Sequence, residues 1–170
     1  MSLYDSSFPQ MARMLGQVPV WFDKAEAYAE QKKFNPEELL TARLAPDQWP
    51  LRRQVQVVIA WPLRLRAVLL GEEPPKPETG DETIKDLRAR AGRTLEQVKT
   101  LGPEQFQGAE DRTIPLAFMP GKGMRGADFV FQFALPNFYF HATTAYSILR
   151  HNGIDVGKLD FIGALDLRDL

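Results

Sequence analysis

A single histidine lies in the middle of the longest uncharged segment of the chain, FVFQFALPNFYFHATTAYSIL at positions 129–149. Asn137 precedes His141 by four residues and Thr144 follows it by three, so the three side chains share one face of a helix. An imidazole can coordinate a metal, transfer a proton or hydrogen-bond a ligand. Polar groups on a buried helix must be satisfied by protein, water or ligand. This stripe is therefore the candidate ligand-binding site.

The same histidine also has a purely structural interpretation, as a core imidazole that is hydrogen-bonded to a neighbouring helix. Tyr4, Gln54 or Gln56 could supply the partner, and the sequence does not choose among them. The second histidine, His151, stands beside Arg150 at the expected end of the same helix. It is more simply explained as a surface group that complements the helix dipole.

Two motifs of nucleotide and hydrolytic enzymes are disfavoured. GKGMRG at 121–126 has the spacing G-x-G-x-x-G, but no acid lies about 20 residues further on and no second strand follows, so a dinucleotide site is not expected. An anion held at the following helix start by Lys122 and Arg125 remains open. No G-x-S-x-G occurs, and Ser147 falls on a different face from His141.

Four long helical patterns are expected to position these side chains. Apolar residues recur at helical spacing over 4–33, 50–70, 82–101 and from 127 or 128 to the glycine at 153. A short helix is expected over 36–42. Expected N-caps are Asp5, Ser6 or Ser7 for the first helix, Asp47 for the second, and Thr79 or Asp81 for the third. Prolines inside three of the helices predict kinks, at Pro19, Pro62 and Pro136.

The segments between the helices predict the rest of the architecture. GEEPPKPETG at 71–80 is a linker that can cross the end of a helical domain. Residues 112–118 could form a short strand, 119–126 a turn, and 154–170 an irregular tail that packs back. We therefore predict an all-α fold: one domain spanning 1–170, a four-helix bundle with a short irregular or two-stranded insertion before the last helix.

Composition restricts the possible partners and compartments. At 170 residues and 44% hydrophobic, the chain is long enough for one full core, and its net charge of -1 gives no reason to expect nucleic acid. Cysteine is absent, which excludes disulfides and thiolate sites. The first residues lack the pattern of a signal peptide. Amides, hydroxyls and the imidazole are spread along 129–149, which disfavours a membrane span. We expect a cytoplasmic protein with no membrane partner.

Three segments carry a resemblance to a known family. LPNFYFHATTAYSILRHNGIDVGKLDFIG, YDSSFPQMARMLG and LAPDQWPLRRQVQ resemble an uncharacterised bacterial domain-of-unknown-function family within the DinB/YfiT-like superfamily, which is associated with metalloenzymes. The resemblance covers most of the chain. It implies a DinB-like bundle with up-up-down-down topology, usually found as a homodimer, and it implies little about the reaction.

The superfamily commonly holds a divalent metal on three histidines, one from the second helix and two from the fourth at i and i+4. His141 matches one of the fourth-helix positions, but Ala145 occupies the i+4 position. The second helix, at 50–70, has no His, Asp or Glu. A three-histidine site is therefore impossible, and only a substituted carboxylate such as Asp5 or Asp23, or a partner chain, could complete another one. We predict no metal and no other cofactor.

Two functional hypotheses remain from different classes. The first is a metal-free small-molecule-binding protein whose pocket lies around His141, with Asn137, Thr144, Trp61 and Tyr4 as its ligand-binding residues. The alternative is a detoxification-type transferase or isomerase of thiol conjugates with a degenerate or unusual metal site. Loss of two of the three expected ligand positions favours the first hypothesis. A third, purely structural interpretation is a dimerisation module.

Overall fold

The fold is given by a computed structural model, which describes residues 2–169. Four long helical rods form a bundle, with a small hairpin inserted before the last of them, as the sequence predicts. In chain order the elements are α1 (Leu3–Lys32), a 3-10 helix (Pro36–Thr41), α2 (Leu51–Leu70), α3 (Ile84–Lys99), a second 3-10 helix (Pro103–Phe106), β1 (Thr113–Pro115), β2 (Gly123–Arg125), α4 (Gly126–Asp128), a π-helical segment (Phe129–Ala134), α5 (Leu135–His151) and α6 (Lys158–Ile162).

The core lies between the long helices. α1 packs mainly against α3, and α2 packs against both α5 and α3. The largest fully buried side chains of the core include Trp21, Phe8, Phe22 and Phe138. Burial of each such side chain contributes about 1.5–3 kcal/mol to the stability of the fold. Across residues 2–169, no helix combines the length and the hydrophobicity that crossing a bilayer requires.

The helix starts differ from those expected. α1 is capped by Ser2, whose hydroxyl accepts from the Asp5 N–H while the Asp5 carboxylate accepts from the Ser2 N–H. α3 uses the same reciprocal arrangement between Thr83 and Asp86. α2 has no side-chain cap, so the expected cap at Asp47 is wrong. In each case the helix begins two to five residues away from the candidate caps, a shift that local patterns resolve poorly.

The rod that carries His141 is not uniformly α-helical. The N–H of Leu135 donates to the carbonyl of Val130, five residues back, and the π-helical turn ends there. Pro136 follows at once. Its ring lacks an N–H and would crowd the carbonyl of Gln132 in a regular α-helix. The wider π-helical turn relieves that conflict, so the irregularity predicted at this proline lies in the turn immediately before it.

The insertion is an antiparallel hairpin in which Thr113 of β1 lies opposite Arg125 of β2. The 121–126 glycine motif falls on this hairpin, which is not a βαβ unit. Gly126 has a packing role: a Cβ atom there would lie 1.9 Å from the carbonyl oxygen of Ala109. The glycines of this motif are explained by the close approach of the Ala109 backbone to Gly126 and by the turn of the hairpin, where Gly121 has a positive φ.

The tail includes a short helix, α6, although the sequence predicts an irregular segment. It packs back as predicted: the Phe161 ring stacks on Trp21 and meets Tyr146 edge-on. The indole N–H of Trp21 donates to the Asp160 carbonyl at 2.8 Å. The tail thus closes the end of the bundle formed by α1 and α5.

Candidate functional site

His141 is held between α5 and α2 by a directed hydrogen-bond chain. Its Nδ1 lies 2.7 Å from Oε1 of Gln54, and Nε2 of Gln54 donates to the carbonyl of Trp49 at 3.0 Å. Because that carbonyl can only accept, the amide must present its oxygen to the imidazole, and Nδ1 must carry the proton. The network therefore assigns Nε2 as the nitrogen with the free lone pair.

The environment of His141 favours its neutral form. The side chain is buried, with 7% of its surface exposed. Burial, followed by the positive charge of Arg53, lowers the pKa of His141 below its ordinary value. Its ring stacks on Trp49 at 5.7 Å between centroids and meets Phe140 edge-on at 5.3 Å. Near pH 7 the site therefore offers an oriented, uncharged imidazole with Nε2 as an acceptor.

A cavity of about 210 Å³, here called the smaller cavity, lies beside this imidazole. Its lining includes His141, Asn137 and Trp61 together with Arg53 and Glu78. Nε2 of His141 has no hydrogen-bond partner among residues 2–169. A hydroxyl, thiol or amide donor of a bound molecule would satisfy it. The arrangement can bind a polar group or accept a proton from it.

Three of the five predicted ligand-binding residues meet at the smaller cavity: His141, Asn137 and Trp61. Thr144 is buried and does not line it; its hydroxyl donates to the Phe140 carbonyl one turn earlier at 2.7 Å. Tyr4 lies elsewhere, because its ring stacks on Phe8 of α1 and on Phe106 of the second 3-10 helix.

The partner of the imidazole was one of the three candidates, Gln54. The second, Gln56, binds the segment that precedes α3 instead. Its amide donates to Glu82 and to the Gly80 carbonyl, each at 2.9 Å. The choice between the two glutamines depends on the rotation of α2 about its axis, which brings Gln54 toward α5.

Trp49 and Arg53 are among the residues of the smaller cavity that were not predicted as site residues. The guanidinium of Arg53 lies over the Trp49 ring at 5.0 Å from its centroid and donates to the Glu78 carbonyl at 3.3 Å. Their separation of four residues was the available signal, because an arginine one helical turn after an exposed tryptophan can cover its face. From the sequence alone, Trp49 is instead interpreted as the apolar anchor of a turn, and Arg53 as part of a solvent-exposed helix face.

A larger cavity of about 730 Å³ adjoins the smaller one. Its walls come from α2, the π-helical segment and the connection between β1 and β2. Trp61, Arg64 and Phe133 line both cavities, so the two are neighbours. The indole N–H of Trp61 is buried and finds no acceptor in the described part of the chain. Two adjoining cavities with polar and apolar lining are typical of a small-molecule site.

The donor set does not fit the metal that the superfamily implies. Among residues 2–169 no group of three His, Asp or Glu side chains could hold an ion. The Nδ1 atom of His141 is occupied by Gln54. The two carboxylates considered as substitutes are engaged elsewhere: Asp5 caps α1, and Asp23 pairs with Arg88 at 2.9 Å.

Comparisons with known proteins agree with this architecture. The model of the family described as "Domain of unknown function (DUF1993)" matches residues 3–162. A solved structure, described as that of a DinB family member protein from Shewanella denitrificans, is 39% identical, covers 99% of this chain and 96% of its own, and superposes with a TM-score of 0.91. No curated protein matches. The predicted DinB-like four-helix bundle is confirmed, and the chain belongs to the DUF1993 family.

Proposed function

We propose that the protein binds a small molecule without a metal, at the smaller cavity beside His141. The observation that carries the proposal is the free Nε2 acceptor of an imidazole whose other nitrogen is fixed by Gln54. A purely structural histidine would need no cavity beside it, whereas Asn137 and Trp61 line the same space. The ligand donates a hydrogen bond to Nε2 and contacts the aromatic walls.

The alternative, a transferase or isomerase with a degenerate metal site, requires donors that do not converge among residues 2–169. Metal analysis of the purified protein, with and without added Zn²⁺, Ni²⁺ or Mn²⁺, separates the two. We expect substoichiometric metal under all conditions. Stoichiometric metal that disappears in His141→Ala would exclude the metal-free proposal.

Thermal-shift screening of small molecules tests the binding site itself. A true ligand stabilises the native state in proportion to its occupancy. We expect stabilisation to be lost in His141→Ala and retained in His151→Ala, which removes the exposed histidine at the end of α5. A ligand whose effect survives His141→Ala binds somewhere else, and the pocket would then be misplaced.

Two further parts of this proposal are a homodimer, which the resemblance implies, and a cytoplasmic location, which the lack of cysteine favours. Neither is needed for binding at the smaller cavity. The dimer can be tested by mass measurement, as argued below for the whole molecule.

A further inference from the structure

We propose that the larger cavity binds an apolar organic acid, with the apolar body against α2 and the hairpin and the carboxylate on Arg64. The inference rests on the proposed function, because it assigns a ligand class to the space that adjoins the His141 site. It is carried by three features: an aromatic wall, two cations without carboxylate partners, and an unsatisfied donor.

The aromatic wall is a connected set of rings. Phe133 lies 5.0 Å from Phe118, 5.4 Å from Phe129 and 5.9 Å from Trp61, measured between centroids. Leu65 of α2, buried in the core, adds aliphatic surface to the same lining. A volume of about 730 Å³ lies within the range of sites for drug-sized ligands. The cavity therefore suits an aryl or hydrocarbon body.

The charges of the larger cavity favour an anion. Within residues 2–169 no carboxylate lies at ion-pair distance from Arg64 or Lys122, and both line the cavity. The carboxylate on the lining, Glu72, is already paired with Arg66 at 2.7 Å. One Nη of Arg64 donates to the Pro75 carbonyl at 2.6 Å. Its remaining N–H groups match the two oxygens of a carboxylate.

The position of Arg64 sets where the acid group lies. Arg64 lines both cavities and stands with Arg53 on the smaller one, and neither arginine has a carboxylate partner in the described range. Burial, followed by the charges of Arg90 and Arg64, lowers the pKa of Arg53, which is consistent with a positive potential there. An anion at the junction of the cavities would relieve this repulsion.

Trp61 supplies a third reason to place an oxygen at the junction. Its indole N–H is buried without an acceptor among residues 2–169, which is uncommon for a tryptophan in a folded protein. Trp61 also lines both cavities. A ligand oxygen bound beside Arg64 would supply the acceptor that this N–H lacks. Binding would thus satisfy a donor that the protein itself leaves unpaired.

The ligand class is tested by titration calorimetry near pH 7 with phenylbutyrate, phenylbutanol and phenylbutylamine, which share one body and differ in charge. We expect the acid to bind about tenfold tighter than the alcohol, and the amine to bind weakest. In Arg64→Gln the advantage of the acid should disappear while the affinity for the alcohol stays. Arg64→Lys, which keeps the charge but not the fork, should keep part of that advantage.

The matched control is Arg52→Gln, on the same helix, with the same loss of charge and a side chain that pairs with Asp81 outside both cavities. It should leave all three affinities unchanged. Ala117→Trp, at an exposed wall position, should narrow the larger cavity and weaken the three probes together, about tenfold or more. Circular dichroism checks that each variant is folded.

The outcomes separate the two proposals. Equal binding of acid and alcohol, or an acid preference that survives Arg64→Gln, overturns the acid assignment and leaves the proposed function intact. Binding of no probe also overturns the acid assignment, whereas the proposed function is judged by the His141-dependent screen. Probes that bind equally well to Ala117→Trp overturn the assignment to the larger cavity.

Discussion

The direction of one hydrogen bond decides what His141 can do. The Trp49 carbonyl orients the Gln54 amide, and the amide in turn fixes the proton on Nδ1. A metal-binding histidine is commonly oriented in the same way by an outer hydrogen bond. Here, however, no second or third donor converges on Nε2 within residues 2–169. His141 is thus oriented by Gln54 as a metal-binding histidine would be, although the other metal donors are absent from that range. An oriented imidazole without a metal suits the recognition of a small molecule.

The lowered pKa of His141 predicts a pH dependence of stability. Below the ordinary histidine pKa of about 6.5, the unfolded chain takes up a proton that the folded imidazole resists, so the free energy of unfolding should fall as the pH drops. The contribution of the neutral His141 to the free energy of unfolding is complete above that pH and is lost progressively as the pH falls below it. Urea unfolding at a series of pH values from 8 to 5 measures the slope, and His141→Gln should flatten it.

His151→Gln is the matched control for that slope, because it removes the other histidine from an exposed position. It should retain the wild-type pH dependence. If the two variants change the slope equally, or if His141→Gln leaves it unchanged, the neutral buried imidazole is not its source. The protein has two histidines, so the ring resonances of each can be followed by NMR during a pH titration. This measurement checks directly whether the imidazole of His141 stays neutral as the pH falls.

At the residue scale the sequence could predict that Asn137 and His141 lie on one helix face, but not which other residues line the candidate site. Asn137 and His141 are one turn apart, and local spacing is enough to place them together. Tyr4 was also placed in the pocket, yet it stacks on Phe8 and Phe106. Its position depends on how α1 is rotated about its own axis in the bundle, which no local pattern encodes.

Among the elements, the long helices were predictable and their ends were not. Apolar residues at helical spacing span many turns, so an error of a few residues does not hide the helix. The π-helical turn had only Pro136 as its signal. A proline predicts a disturbance but not its form, since a kink and a wider turn both relieve the same clash.

Two glycines in helical elements predict opposite effects of a methyl group. Gly92 lies on the exposed face of α3, and a Cβ there would meet nothing within 4 Å. Gly92→Ala should therefore stabilise the protein by about 0.5–1 kcal/mol through helix propensity. At Gly126 a Cβ would collide with the Ala109 carbonyl. Gly126→Ala should destabilise by roughly 2 kcal/mol or more, as expected for overpacking.

Urea denaturation measures the free energy of unfolding of both variants. The two can be compared directly, because each adds the same methyl group. Destabilisation by Gly92→Ala would mean that α3 is not a regular helix at that point. A neutral Gly126→Ala would mean that the backbone around Ala109 can move aside at little cost.

A buried ion pair joins α3 to the segment that precedes it, and Gln56 of α2 contacts this pair. Arg90 is bound by Glu82 through two hydrogen bonds of 2.8 and 2.7 Å, and Gln56 donates to the same carboxylate. The Arg90 side chain is 7% exposed and that of Glu82 17%. Arg90→Ala leaves a largely buried carboxylate without its partner, which should cost roughly 3 kcal/mol. Lys99→Ala, which breaks an exposed pair with Glu96, should cost less than about 1 kcal/mol.

A double replacement separates pairing from packing in this contact. Arg90→Met combined with Glu82→Leu removes both charges and keeps apolar volume, so it should recover much of the stability lost in Arg90→Ala. Chemical denaturation of the single and double variants gives the coupling. If Arg90→Ala costs no more than Lys99→Ala, the pair behaves as an exposed one.

At the scale of the whole molecule, the bundle follows from the sequence and the cavities do not. Four apolar periodicities, a proline-rich crossover and the absence of a βαβ pattern leave few alternatives to a bundle. The larger cavity joins side chains from three separate parts of the chain: Trp61 of α2, Phe118 of the hairpin and Phe133 of the π-helical segment. No local pattern connects them, so only the tertiary structure brings out the cavity.

The assembly state is the remaining prediction for the whole molecule, and we expect a homodimer. Trp49 and Phe140 both contact His141, yet they are 50% and 57% exposed. Neighbouring exposed aromatic rings are enriched at protein interfaces. A charge in this patch should be buried at a cost on association, so Phe140→Glu should convert the dimer to a monomer. Light scattering at several concentrations measures the mass.

Leu167→Glu is the control for this substitution, since it adds the same charge to an exposed tail residue with 83% of its surface accessible. It should leave the mass at that of two chains. A wild-type mass of one chain at every concentration would contradict the homodimer. A dimer that persists in Phe140→Glu would instead contradict the aromatic patch as its interface.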